Sequence, residues 1–258
     1  MINTLKINGK DNWGFFFNCT SAVYSIVNHI NQTGRIPHVN FSDSFVNFKS
    51  DKKHNIYDQL FIYRDDICID KNNLRNCFRL DGKFFYCVDE NYNHIKPVID
   101  KWFTPNQQIN DHMNTLIDKY DINLDETLCV CYRGTDKHQD IKPPSYDELI
   151  DIAADHPHDR VFIQTDQQQF LDRCIDRLGE SCVYFDEHER TTGGQQPVFK
   201  TSANKRLINC QMFLATVLIM AKCNYIIYNT SNVTRWTCLY RGSTTRTTQF
   251  LTHDTKQS

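Results

Sequence analysis

Arginine, threonine, two aspartates and a lysine crowd into Arg133-Gly-Thr-Asp-Lys-His-Gln-Asp140, directly after an apolar run that alternates as a buried strand does. A guanidinium at the end of such a strand needs an anion, and the fork of Arg133 suits a phosphate bidentately. Three further apolar runs end the same way: in Thr165-Asp166, in Phe185-Asp186, and in Asn229-Thr-Ser-Asn232. The last of these continues through Val233 and Thr234 to Arg235 in a helix start, where free backbone N–H groups bind phosphate. Ser231 or Asn232 equally suits the cap of that helix, and one residue can serve both ends. Polar residues are ordinary in the solvated loops after strands, so no one position decides the matter. The chemistry that they offer jointly is stabilisation of a phosphate or diphosphate.

The elements that position these residues follow from apolar periodicity. Strands are expected at Thr4–Asn8 and Ile36–Phe41, around a helix Asn18–Gln32 that stops at Gly34. Residues 45–100 hold Phe- and Tyr-rich fragments, FIYRDDICI and GKFFYCV, that read as strands or hairpins. After Pro105 the order is regular: helix Ile109–Tyr120, strand Thr127–Tyr132, helix Ser145–Ala154, strand Arg160–Gln164, helix Gln167–Leu178 and strand Cys182–Phe185. An apolar helix Leu207–Lys222, a strand Asn224–Tyr228 and a helix from Val233 complete it. Four strands each followed by a helix predict a parallel sheet covered on both faces, with ligands at the carboxyl ends of the strands. The chain is expected to divide into an N-terminal unit 1–105 and a C-terminal unit 106–258.

Composition limits the partners. With 258 residues and 40% hydrophobic content the chain can bury a full core, and Lys+Arg 29 against Asp+Glu 31 gives no bulk basicity for nucleic acid. The opening residues MINTLKINGKDNWG have neither the apolar run nor the cleavage site of a signal peptide, and no segment reaches the roughly 18 apolar residues of a membrane span. A cytoplasmic protein without a transmembrane segment is expected. The 11 cysteines, scattered among apolar neighbours, read as buried thiols of a reducing compartment. Five Asn-x-Ser/Thr sequons, at Asn18, Asn31, Asn40, Asn229 and Asn232, matter only in the secretory pathway. The sequence has no Walker A run and no GxGxxG, and the lack of Asp-x-Asp argues against a metal-held nucleotide.

The ordered series YRGTDK, the helix containing Tyr146, RVFIQTDQQQFL, VYFDE, the apolar helix and CNYIIYNTSNVTRW resembles the donor-binding half of the GT-B fucosyltransferases. The likeness is greatest to the group of α1,6-fucosyltransferases, nodulation fucosyltransferases and protein O-fucosyltransferases. More thinly, DNWGFFFNCTSAVYSIV resembles that group's glycine-and-asparagine loop between first strand and first helix, with Gly14 inside it. The resemblance implies an α/β GT-B-like fold, two Rossmann-like domains facing a cleft with the N-terminal one reduced.

By that resemblance Arg133 matches the arginine that holds the donor diphosphate, Asp136 and Lys137 match a Thr-Asp-Lys run, and Thr165 and Asp166 match a Thr-Asp pair. Thr230, Ser231 and Asn232 match a phosphate-contacting turn, and Phe185, Asp186, Arg235 and Gly14 complete the expected donor-binding set. The chain departs from the group at Cys131, where a histidine is usual, at Gly134, where a second arginine is usual, and at Thr216, where an acidic residue is usual. The first and last of these help to select guanine in relatives, so the donor stays open between GDP-fucose and a UDP-sugar such as UDP-xylose.

The implied activity is inverting, metal-independent transfer of a sugar to a glycan or protein hydroxyl, with a nucleotide sugar as co-substrate and no cofactor. Such transfer needs charge stabilisation on the departing diphosphate, a base for the acceptor hydroxyl, and exclusion of water. Asp140 is the expected base, with Asp11 and Asp136 behind it, and Lys137 is placed to bridge base and phosphate. Other constellations read more plainly: Cys129 and Cys131 as core, Phe15-Phe-Phe17 as core beside Gly14, Asp186-Glu-His-Glu189 as a solvated or base-contacting loop, and His156-Pro-His158 as a turn. Two other classes fit the same residues: an inactive glycan- or nucleotide-binding protein of this fold, and a structural α/β protein that binds a partner.

Overall fold

The computed structural model of the protein describes residues 3–10, 14–49, 55–74, 92–135, 144–192 and 206–250. It opens with β1 (Thr4–Asn8), α1 (Phe15–Thr33) and β2 (His38–Asp43), the two strands running parallel. Cys19, Ala22, Val23, Ile26, Val27 and Ile30 recur at helical spacing and are buried, which gives α1 its core face. Gly34 ends the helix at φ 66°, the left-handed conformation that glycine adopts without penalty, and donates its N–H to Ile30 O.

The stretch expected to hold hairpins is built differently. β3 (Phe61–Ile62) is only two residues long and pairs antiparallel with β4 (Thr104–Pro105), between 3-10 turns at Tyr57–Gln59 and Lys71–Leu74. The fragment Gly82–Val88 lies outside the described residues. Between them sits α2 (Tyr92–Trp102), which buries Tyr92, Ile95, Val98, Ile99 and Trp102 on one face in spite of Pro97 in its middle. Lys101 is 5% exposed, and its ammonium donates to the carbonyls of Arg64 at 2.9 Å, Ile67 at 3.0 Å and Asp65 at 3.3 Å. Those dipoles replace the water that a buried charge would otherwise lose, and they tie residues 64–67 to the helix.

The C-terminal part runs α3 (Gln107–Lys119), β5 (Thr127–Tyr132), α4 (Tyr146–Asp155), β6 (Arg160–Thr165), α5 (Gln168–Leu178), β7 (Cys182–Val183), α6 (Arg206–Lys222), β8 (Tyr225–Asn229), α7 (Asn232–Arg241) and β9 (Thr247–Phe250). Five strands form one parallel sheet in the order β7-β6-β5-β8-β9, one strand more than the sequence pattern predicts. The extra strand β9 is short and half-buried, and β7 stops two residues early. Leu128, Val130, Tyr132, Val161, Ile163 and Ile227 point to the face covered by α4 and α5. Cys129, Cys131, Phe162, Ile226 and Tyr228 point to the other face, into a core shared with α6, α7 and the N-terminal helices. That core crosses from one half of the chain to the other, for instance where Phe16 of α1 meets Trp236 of α7 at 5.9 Å between ring centroids.

The strand order has one consequence for function. From β5 the chain moves to β6 and β7 on one side, then returns to β8 and β9 on the other. The connections therefore diverge between β5 and β8, and the crevice at their carboxyl ends is where open α/β sheets bind ligands.

Candidate active site

Asn229, the last residue of β8, closes that divergence point. Its side-chain Oδ1 accepts the backbone N–H of Arg133 at 2.8 Å, and its Nδ2 donates to the Arg133 carbonyl at 2.7 Å. Asn229 is fully buried, and the two bonds hold the start of the loop after β5 against the end of β8. Sequence reasoning placed Asn229 on the rim without giving it a role; an amide side chain at a buried strand end, next to the strand that carries Arg133, was the available signal.

Asp166 organises the same loop from the other side. Its carboxylate accepts from the Gly134 N–H at 3.1 Å and the Thr135 hydroxyl at 2.6 Å, and pairs with Arg133 Nε at 3.0 Å. The Arg133 side chain is 17% exposed and that of Asp166 8%, so this is an ion pair largely removed from water. The Asp166 carbonyl accepts from the N–H and hydroxyl of Thr191, which fastens the loop after β7 to the same point. Thr165, in register with Tyr132, accepts the N–H of Gln167 on its hydroxyl at 3.1 Å.

Gly134 is a close-approach glycine. A Cβ there would lie 2.5 Å from Gln167 Oε1 and 2.6 Å from the Tyr132 ring. Gln167 is itself held by the Tyr146 hydroxyl at 2.7 Å. The space that a second arginine would need is thus already filled, which accounts physically for the glycine.

The rim after β8 is built around a helix start. Ser231 caps α7 in a capping box, its hydroxyl accepting the Thr234 N–H while Thr234 Oγ1 accepts the Ser231 N–H. The N–H groups of Asn232 and Val233 stand outside that box, at the positive end of the helix dipole. Thr230 donates to Phe250 O at 3.2 Å and accepts from Gln249 at 2.9 Å, which secures β9. Asn232 Oδ1 lies 3.3 Å from the Thr20 hydroxyl of α1, and that hydroxyl also accepts the Trp236 indole N–H at 2.9 Å. Arg235 is 2% exposed within the same helix. Through Thr20 the N-terminal half reaches the start of α7, and a Cβ on Gly14 at the head of α1 would meet none of the described residues within 4 Å.

Phe185 and Asp186 part company. Phe185 is fully buried, with Phe162 at 4.6 Å and Tyr120 at 4.9 Å between ring centroids. Asp186 is exposed, its N–H bonded to the Tyr120 hydroxyl, and Glu187 is bonded to Lys119 and Tyr120. His188, expected in a solvated or base-contacting loop, turns inward. With Thr216 donating its own O–H to Met212 O, His188 Nε2 is the donor to Thr216 Oγ1 at 2.7 Å. Burial, with Arg190 nearby, pushes the imidazole down to about 4, so it stays neutral.

Asp11, Asp136, Lys137 and Asp140 lie outside the described residues. Cys129 and Cys131 are fully buried in the core, as expected, and among the described residues every cysteine is free. Phe15 and Phe16 are core residues, with Phe17 half-buried. No group of three or more His, Cys, Asp or Glu side chains among the described residues is placed to hold a metal ion, and no described helix is long and apolar enough to cross a membrane.

No protein-family model and no curated protein matches the chain. Solved structures do match it. The NodZ α1,6-fucosyltransferase soaked with GDP-fucose matches with a TM-score of 0.59 at 14% identity, over 93% of this chain and 93% of that one. The same enzyme co-crystallised with GDP matches at 0.57, again with 14% identity, over 93% of this chain and 92% of that one. Fucosyltransferase NodZ from Bradyrhizobium matches at 0.57 and 14%, over 93% of both chains. Over nearly its whole length, the chain therefore has the GT-B fold of the fucosyltransferase-like glycosyltransferases.

Proposed function

We propose that the protein is a glycosyltransferase that binds a nucleotide-sugar donor at the carboxyl ends of β5 and β8, with residues 106–258 as its donor-binding unit and 1–105 as its acceptor side. The observation that carries this reading is the joining of Arg133 to the head of α7 through Asn229 at the divergence point of the sheet. A guanidinium and a helix N-terminus carried at the ends of neighbouring strands suit the charge that grows on a departing diphosphate. GDP-fucose is the first donor to test, because structures of the same fold were soaked with GDP-fucose or co-crystallised with GDP. A UDP-linked sugar is the second.

In the proposed reaction an acceptor hydroxyl of a glycan or glycoprotein attacks the anomeric carbon from the face opposite the diphosphate. The bond from that carbon to the diphosphate oxygen breaks, the nucleoside diphosphate leaves with the electron pair, and the hydroxyl proton passes to a carboxylate, for which Asp140 is the first candidate. Arg133 and the start of α7 supply the electrostatics for this without a metal. Asp11 and Asp136 are the further candidates for the base, and Lys137 for a bridge between base and phosphate.

A second reading, nucleotide binding without turnover, is favoured by the pairing of Arg133 with Asp166 and by the filled space at Gly134, which together leave less positive charge for a diphosphate. Incubation with GDP-fucose or UDP-xylose and a panel of glycan and glycoprotein acceptors, read as nucleoside diphosphate released beyond one equivalent, separates the two. Multiple turnovers with glycosylated product support the enzyme. Donor binding with no product supports the second reading, and no binding rejects both.

A further inference from the structure

β6 ends in an unusual burial. Gln164 is 4% exposed and stands one residue before the Thr165-Asp166 rim, and its Oε1 meets no hydrogen-bond donor among the described residues. Its partner in register is Cys131 of β5, and alternation along the strands puts both on the face of Cys129 and Phe162. The loop after β7 covers that face at the level of the rim. Phe185 packs on Phe162, the His188 ring stacks on Phe185 at 5.9 Å, and His188 Nε2 is committed to Thr216. In that tautomer the remaining imidazole nitrogen is an acceptor, so it offers nothing to a carboxamide oxygen.

A buried polar atom without a partner lowers the stability of the fold that contains it, and such an atom at a ligand-binding edge has an explanation when a ligand supplies the partner. Resting on the glycosyltransferase reading above, we infer that Gln164 is a specificity residue of the donor site, its carboxamide pairing with the nucleobase edge of the donor. Guanine and uracil each present an N–H beside a C=O, the complement of a carboxamide that accepts through oxygen and donates through nitrogen. Arg133, on the same rim, is left to the diphosphate.

The test is calorimetric titration of wild type and Gln164→Met with GDP, UDP, GDP-fucose and inorganic pyrophosphate, together with melting of the unliganded proteins. Methionine keeps the volume and removes the unmatched oxygen. The unliganded variant is expected to melt at or above the wild-type temperature, and to bind the preferred nucleotide at least about tenfold more weakly, the worth of the hydrogen bonds that the carboxamide would make to the base, while any pyrophosphate binding is unchanged. A lower melting temperature in both Gln164→Met and Gln164→Leu would assign Gln164 to the fold instead. Equal nucleotide affinity, or a loss seen with GDP-fucose but not with GDP, would overturn the base contact alone. Wild type that binds no nucleotide would remove the donor site itself, and this inference with it.

Discussion

Asn229 grips Arg133 by its backbone, accepting the N–H at 2.8 Å and donating to the carbonyl at 2.7 Å across 96 residues of sequence. The arginine main chain is thereby fixed from β8, while its side chain pairs with Asp166 at the end of β6. Replacing Asn229 with Leu strands one buried donor and one buried acceptor. At about 1–3 kcal/mol for each, the loss should total roughly 2–6 kcal/mol in urea unfolding with an unchanged denaturant slope. A loss under about 1 kcal/mol would show that the clasp is not held in solution.

Gly134→Ala should destabilise the protein by about 1–3 kcal/mol, because the new methyl group meets Gln167 and the Tyr132 ring well inside contact distance. Gln167→Ala clears half of that space at the cost of its bond to Tyr146. In the double variant the two effects should therefore fall short of additivity by about 0.5 kcal/mol or more. Strict additivity would mean that the loop after β5 shifts as a whole to admit a side chain.

His188 gives a pH dependence with a definite sign. Its folded value of about 4 lies below the ordinary 6.5, so the unfolded chain binds the extra proton first as the pH falls. The stability tied to neutral His188 is fully present above pH 6.5 and is lost down to about pH 4, to a total of roughly 3 kcal/mol. His188→Gln, which keeps a donor towards Thr216 and cannot titrate in this range, should flatten the stability curve between these limits. Parallel curves for the two proteins would contradict the assignment.

Much of the C-terminal architecture was legible because its strands are buried on both faces and read as continuous apolar runs. Thr127–Tyr132 is such a run, and its limits in the sequence and in the structure coincide. Ser145 was legible as a helix start and the cap of the last helix as Ser231 or Asn232; Ser145 and Ser231 both form capping boxes. The strand β9 was not, since Thr247-Thr-Gln-Phe250 has no apolar alternation and owes its conformation to pairing with β8. The helix α2 was hidden by Pro97, although its apolar positions keep helical spacing; burial of that face outweighs the missing backbone bond. In the site, residue types pointed to a polar rim at the strand ends, but not to which polar atoms the fold itself consumes. Asp166 spends its carboxylate on Gly134, Thr135 and Arg133, and Thr230 spends its hydroxyl on β9. These partners come from separate strands, and no local pattern announces them.

If Asp140 takes the acceptor proton, Asp140→Asn should bind donor as wild type does and transfer sugar about 10²–10⁴ times more slowly, the usual contribution of a general base. Initial rates at saturating donor and acceptor would measure this. An undiminished rate would pass the role to Asp11 or Asp136.

The most direct test of the proposed donor site is titration calorimetry of wild type and Arg133→Ala with GDP, GDP-fucose, UDP and UDP-xylose. Wild type should bind one nucleotide family, and Arg133→Ala, folded by circular dichroism, should bind it at least tenfold more weakly, as loss of a charge-assisted contact requires. A wild-type protein that binds none of the four at millimolar concentration, or a folded Arg133→Ala variant with undiminished affinity, would contradict the account.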